Sequence, residues 1–330
     1  MHSFRSDTDT EVLLHGYEEW GIEKLLDKMA GMWAFFIIDM QKKQAYLVRD
    51  RFGIKPLYHD NDGKALVFEI FRKLQPNAVI HAAAETNVDK CETQKEHAWN
   101  VNVEGTRNVA EACAEVSAKL IHISTDYVFD GEKGYYKEED KLNPRNPYSA
   151  SKAGAELLCQ DYSETYDLPV IITRSSNNYG PYQHPEKLIP KTIIYALLNK
   201  SIPVYGTGKN VRDWIYVEDN CEAIDLVLQK SEAGEIYNIA ANQELKNLQV
   251  VKTVLKLAKK PESLIEFVKD RIGHDLRYSL NTERIRELSW RPRTTFEAGI
   301  KKTVEWYKTH TEWWKPMLEK EQIDFHRKSR

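Results

Sequence analysis

Apolar residues recur at helical spacing in the first stretch of the chain. Val12, Leu13, Tyr17, Trp20, Leu25 and Leu26 predict a helix over residues 9–29, with Gly21 dividing it in two. Three strand-like pieces follow, Met32–Asp39, Gln44–Arg49 and Ala65–Phe68, separated by polar runs that read as hairpin turns. Residues 1–69 are therefore predicted as a helix pair followed by antiparallel strands. The pattern then changes. Short apolar runs at 77–84, 119–124 and 168–173 alternate with amphipathic stretches at 104–116 and 150–165. Strands alternating with helices at this spacing predict a parallel, doubly wound α/β sheet. Beyond residue 175 the chain is less regular. Strands at 202–206 and 235–240 and helices near 217–230, 247–259 and 294–308 suit a smaller lobe packed on the sheet.

Composition narrows the partners. The chain has 330 residues, 42% of them hydrophobic, which is enough for a sizeable core. Basic and acidic residues nearly balance, 47 against 50, so neither nucleic acid nor an anionic membrane is expected as a partner. No apolar run approaches the roughly 20 residues of a membrane helix. Cys91, Cys113, Cys159 and Cys221 are too scattered for a zinc site or a disulfide framework. Reduced thiols, no metal and a cytoplasmic location are the expectation.

The candidate chemistry begins at "YSASK", residues 148–152. Tyr148 and Lys152 lie one helical turn apart on one face. A lysine ammonium beside a phenol favours the phenolate, which takes a proton from a hydroxyl as hydride leaves the same carbon. An ordinary surface pair shows the same spacing. "ISTDYVFDG" places Ser124, Thr125 and Asp126 at the carboxyl end of a predicted strand, where open α/β sheets bind ligands. Thr125 could bond the hydroxyl that Tyr148 deprotonates, with Asp126 as general acid. A turn or capping role for Asp126 is the alternative.

These motifs resemble the extended short-chain dehydrogenase/reductase family of nucleotide-sugar enzymes. "RSSNNYGPYQHPEKLIP" (174–190), "IPVYGTGKNVRDWIYVEDNCEAIDLVL" (202–228), "VKDRIGHDLRY" (268–278) and "TTFEAGIKKTVEWY" (294–307) look like the dTDP-glucose 4,6-dehydratases, over about 71–314. "NAVIHAAAETNVDK" (77–90) and "STDYVFDG" (124–131) look closer to dTDP-4-dehydrorhamnose reductases. The resemblance implies an NAD cofactor, a dTDP-sugar substrate and a homodimer. It implies Thr125, Asp126, Tyr148 and Lys152 as catalytic residues. Ala82, Ala83, Ala84 and Asn178 would join Tyr148 and Lys152 at the cofactor. Thr86, Thr125, Asn177, Lys187, Leu188, Pro203 and Tyr205 would line the nucleotide-sugar cleft. Arg212 would pair with the diphosphate, and Asn247, Arg271 and His274 would complete its phosphate end. Read alone, Asn247 is a helix cap and Arg212 a surface ion-pair partner.

Two departures stand out. The resembled family opens with a glycine-rich turn that holds the dinucleotide pyrophosphate. No GxGxxG or GxxGxxG occurs in this sequence. Those dehydratases also carry Asp-Glu after the threonine, where this chain carries Asp126 and Tyr127. A phenol is a poor carboxylate substitute at neutral pH, so reduction or epimerisation of a nucleotide sugar, or binding without turnover, stay open beside dehydration. In place of the glycine turn stand "SDTDTEVLLHGYEEWG" (6–21), "MAGMWAFFIID" (29–39) and "LVRDRFGIKPLYH" (47–59). Together these resemble the glutamine amidotransferase domain of asparagine synthetases over about residues 4–69. That family's nucleophile is a cysteine following the initiator Met, whereas position 2 is His2; Asp9 matches a glutamine-holding residue. The expected organisation is an inert amidotransferase-like fragment (1–69), a partial Rossmann NAD-binding domain (70–175) and a nucleotide-sugar-binding lobe (176–330), in effect a chimera.

Overall fold

The structure, a computed structural model, describes residues 9–28, 34–39, 44–49, 60–270 and 277–318. It divides into two units. One holds residues up to 57 and those from 310, and the other holds 58–309. In the first, helix α1 (Asp9–Lys28) kinks at Gly21, whose φ of 74° lies where glycine has no steric penalty. Tyr17 and Leu25 are buried together, with Leu13 and Ile22 against them. Strands β1 (Ala34–Asp39) and β2 (Gln44–Arg49) form an antiparallel hairpin.

The second unit begins with α2 (Asp60–Leu74), which corrects the strand expected at Ala65–Phe68. A four-residue apolar run fits either structure. What decides it is the wider spacing: Ile70 and Phe71 are buried one turn beyond Val67. There follow β3 (Ala78–His81), α3 (Val88–Thr93), α4 (Lys95–Trp99), a π-helical turn (Asn100–Glu104), α5 (Gly105–Val116) and β4 (Lys119–Thr125). Then come α6 (Pro147–Tyr166), β5 (Val170–Ser175), β6 (Asn177–Tyr179), α7 (Leu188–Leu197), β7 (Ile202–Tyr205) and β8 (Val211–Tyr216). The unit ends with α8 (Val217–Lys230), β9 (Ile236–Ile239), β10 (Glu244–Lys246), α9 (Asn247–Ala258), β11 (Ile265–Val268), β12 (Arg277–Tyr278), α10 (Glu283–Glu287) and α11 (Phe296–Thr309).

The central sheet runs β3-β4-β5-β9, all parallel, as the alternation of strands and helices predicts. Strand alternation sends successive side chains to opposite faces. Ile121 and Ile171 meet Ala223 and Val227 of α8 on one face. On the other, His122 meets Lys152 of α6. Helices on both faces make the sheet doubly wound. β8 pairs with β6, β10 and β12, and β7 with β11, in the smaller lobe.

One buried ion pair fixes α6 on the sheet. Arg174 of β5 donates to the Glu156 carboxylate at 2.7–3.2 Å, and Ser124 of β4 donates to the same group. Both charged side chains are almost wholly buried. Removing one partner of such a pair strands the other charge. Arg174→Met is expected to lower the unfolding free energy by about 3–5 kcal/mol, measured by urea denaturation.

Candidate active site

The site forms where β4 ends. Thr125 is its last residue, and Asp126 opens a single 3-10 turn (Asp126–Val128). The Thr125 hydroxyl donates to Asp126 Oδ1 at 3.1 Å and accepts from the Tyr127 amide at 3.3 Å. Helix α6 starts beside it. Asn146 caps the helix by accepting from the Ser149 amide, Ser149 Oγ accepts in return from the Asn146 amide, and Pro147 occupies the first turn. That cap fixes where the helix begins, and so puts Tyr148 in its first turn and Lys152 in its second.

Burial sets the proton affinities. Asp126 is pushed up to about 7, with burial outweighing the opposing pull of Arg212 and the Thr125 hydrogen bond. Its Oδ2 has no hydrogen-bond partner among the described residues. A buried carboxylic acid with one free oxygen is a proton donor in waiting. Lys152 is lowered to about 8 by burial, against the attraction of Glu156. Its Nζ donates to the Ile123 carbonyl at 2.7 Å and sits 3.4 Å from His122 Nε2.

Tyr148 corrects an expectation. Its phenol is held well above the ordinary value, first by burial and then by the neighbouring Tyr127 and Asp126, with only a Thr125 hydrogen bond acting the other way. Lys152 spends its hydrogen bonds on β4 rather than on the phenol. The helical spacing supplies proximity, but burial decides the proton affinity of the phenol.

The remaining expected residues fall in several places. Asn177 and Asn178 begin β6, just beyond β5, and each has a buried side-chain oxygen without a partner among the described residues. Lys187 reaches the Thr86 carbonyl at 2.9 Å, joining two residues expected at the substrate. Ala82, Ala83 and Ala84 follow the carboxyl end of β3. Leu188, Pro203 and Tyr205 belong to the lobe, where Leu188 packs against a core containing Ile202 and Val204. Asn247 is the first residue of α9, and its amide donates to the Asn210 carbonyl at 3.0 Å. Arg271, His274 and His2 lie outside the described residues, and Asp9 opens α1.

Arg212 departs from the surface reading. It is buried, with its guanidinium 5.0 Å from the Tyr278 ring and 6.0 Å from that of Tyr127. Tyr127 and Tyr278 lie 4.6 Å apart, and Tyr127 meets Tyr148 edge-on at 5.9 Å. Tyr278 and His122 escaped the sequence reading. Tyr278 arrives through the pairing of β12 with β8, far apart in sequence. His122 did carry a signal: "HIS" sets two polar residues on one face of an apolar strand.

A dinucleotide fits this site in part. Unpartnered buried oxygens of Asp126, Ser176, Asn177 and Asn178 surround the ends of β4 and β5, where a polar ligand is to be expected. Of these, Asn178 is the residue expected at the cofactor, with Asp126 and Asn177 on the sugar side. For the pyrophosphate end the sequence offers no glycine-rich turn.

A sequence profile of the GDP-mannose 4,6-dehydratase family matches residues 17–303. The chain is 47% identical over 234 residues to the low-salt glycan biosynthesis protein Agl12 of Haloferax volcanii, covering 70% of this chain and 75% of that one. It is 42% identical over 273 residues to dTDP-glucose 4,6-dehydratase 1 of Escherichia coli K12, covering 74% and 76%. The structure of the dTDP-glucose 4,6-dehydratase DesIV from Streptomyces venezuelae, solved with NAD bound, is similar at a TM-score of 0.74 and 40% identity, covering 77% of this chain and 79% of that one.

The raised Asp126 has a consequence for stability. Its folded value of about 7 lies above its ordinary value of 3.8, so the native state holds the extra proton between the two. Stability is full below the lower value and falls as pH rises through that window. Asp126→Asn keeps the oxygen that accepts from Thr125 but cannot ionise. Relative to wild type it should gain stability from pH 4 to pH 7 and level off above, as read from thermal unfolding across pH.

Proposed function

The chain belongs to the GDP-mannose 4,6-dehydratase family, and on that premise we propose that it acts as a dTDP-glucose 4,6-dehydratase, removing water to leave the 4-keto-6-deoxy sugar. The observation that carries this reading is Asp126: a buried acid with a free oxygen, bonded to Thr125 and next to Tyr148. Bound NAD would supply a reversible hydride acceptor. The residues of the chain manage the protons. Thr125 orients the C4 hydroxyl and Tyr148 takes its proton. Asp126 protonates the C6 hydroxyl, a transfer matched to an acid that titrates at about 7. That hydroxyl leaves as water while the C5 proton passes to a base, and a proton is returned to C5 as hydride returns to C6. Lys152, Ala82, Ala83, Ala84 and Asn178 hold the nicotinamide–ribose end. Arg212, Lys187, Asn177, Thr86, Leu188, Pro203, Tyr205, Asn247, Arg271 and His274 serve the nucleotide sugar.

Tyr127 favours a second reading. Elimination needs a base at C5, and the residue after Asp126 is a phenol set among Tyr148, Tyr278 and Arg212. Reduction of a 4-keto sugar needs no such base, only a hydride and a proton from Tyr148. The reductase-like stretch at 77–131 supports that alternative. The amidotransferase-like run over 4–69 is proposed as inert, because His2 replaces the nucleophilic cysteine. Among the described residues no helix is long and apolar enough to cross a membrane. A cytoplasmic location is proposed because four scattered cysteines suit a reducing compartment.

Incubation with dTDP-glucose and NAD tests the main reading. The 4-keto-6-deoxy product should appear by NMR, Tyr148→Phe should abolish it, and glutamine should release no ammonia. Consumption of reduced cofactor on a 4-keto sugar, with no water lost from dTDP-glucose, would favour the reductase instead.

A homodimer is also proposed. Trp99 of α4 and Leu157 of α6 are 46% and 57% exposed, and the Trp99 ring lies against Gly154 one turn from Leu157. Two large apolar groups on adjoining helices suit burial against a second copy. Sedimentation equilibrium should report a dimer that Leu157→Lys dissociates; a wild-type monomer at micromolar concentration would remove the proposal.

A further inference from the structure

The sheet register sets two histidines side by side beneath the site. His81 of β3 pairs with His122 of β4, and their rings lie 5.7 Å apart. The hydrogen-bond partners indicate a tautomer for each ring. Thr106 Oγ1 uses its single proton on the Asn102 carbonyl at 2.6 Å, so at 3.1 Å it accepts from His81 Nε2. An ammonium only donates, so His122 Nε2, at 3.4 Å, accepts from Lys152 and the ring carries its proton on Nδ1. Burial and the Lys152 charge hold both rings neutral, His81 at about 3 and His122 well below its ordinary value.

We propose that His122 is a positioning residue for Lys152, which it holds as an oriented ammonium through its unprotonated Nε2. The Lys152 ammonium has three N–H donors. One goes to the Ile123 carbonyl and one to His122, which leaves one for a ligand hydroxyl at the end of β4. Both acceptors lie on the strand, so the free donor is directed away from it. With only the Ile123 carbonyl as acceptor, the ammonium would rotate about that bond and its charge would lose half of its hydrogen bonding. The other groups facing Lys152 are His81 across the sheet and Glu156 and Cys159 on its own helix. Of these, Glu156 is already committed to Arg174 and Ser124. The neutral state of His122 matters: a protonated ring would donate from both nitrogens and repel the ammonium.

This inference deepens the proposed role of Lys152 at the cofactor ribose and rests on it, but its test needs neither cofactor nor turnover. In the full chain with isotope-labelled lysine, the Lys152 signal is assigned by its loss in Lys152→Met and followed by NMR across pH. Wild type should titrate at about 8. In His122→Phe the midpoint should fall by about 1 pH unit, because the charged form loses an acceptor. His122→Gln places an oxygen near the Nε2 position and should restore the wild-type midpoint. His122→Asn places its amide nearer the Nδ1 position and should not. That contrast decides the matter even where the Phe variant fails to fold. An unchanged midpoint in His122→Asn, or equal displacement in the Asn and Gln variants, would overturn the assignment. Failure of dehydration with the Gln and Asn contrast intact would count against the proposed function and leave the role of His122 standing.

Discussion

Glu156 carries a charge that water does not reach, and the site is built around satisfying it. Its carboxylate accepts from the Nε and Nη2 groups of Arg174, Nε shared between both oxygens, and from Ser124, so a single group on α6 is tied to β4 and β5 together. A buried pair of this kind is weak support for stability, because desolvation offsets much of the attraction. Its value here is in register. Lys152 is one helical turn before Glu156, and Tyr148 one turn before that. Sliding α6 by one residue would strand the carboxylate away from Arg174 and turn Lys152 off His122. The capping box at Asn146 specifies the same register from the other end.

A dry site makes every proton transfer depend on what arrives. Asp126 moves up, Lys152 moves down and Tyr148 moves up, all with burial as the largest cause. Two of these suit the proposed chemistry as they stand. A protonated Asp126 is ready to give, and Lys152 remains a cation at neutral pH. The third does not: a desolvated phenol resists ionisation until positive charge comes close. Burial thus keeps the Tyr148 phenol protonated at neutral pH.

Most of the second unit was legible in the sequence because its periodicities are clean. The runs at 119–124, 168–173 and 217–230 emerge as β4, β5 and α8 within a residue or two. Ala65–Phe68 was misread because four residues cannot separate the two periods; Ile70 and Phe71, just beyond them, carry the decision. Within the site, Thr125, Asp126, Tyr148 and Lys152 were legible because they sit on two short local motifs. The surroundings that set their chemistry were not. Arg212, Tyr278, His122 and Glu156 reach the site through strand pairing and helix packing between distant segments, and a burial-driven change in proton affinity has no local signature. The stacking of Arg212 on Tyr278 turned a residue with a surface pattern into a buried one.

The edge of the described sheet bears on where a dinucleotide would lie. Among the described residues β3 pairs only with β4, and Ile80 on that edge strand is 48% exposed. Doubly wound sheets bind a dinucleotide across strand ends, with the pyrophosphate on a glycine turn and the reactive ring some way along. Thr125 and Asp126 lie at the end of β4 and Tyr148 and Lys152 on α6, which Glu156 ties to β4 and β5. The amides of a glycine turn act on a phosphate remote from the reacting carbon, so the lack of that motif in the sequence bears on occupancy of a dinucleotide site, whereas Tyr127, beside Tyr148, bears on the chemistry of a bound sugar.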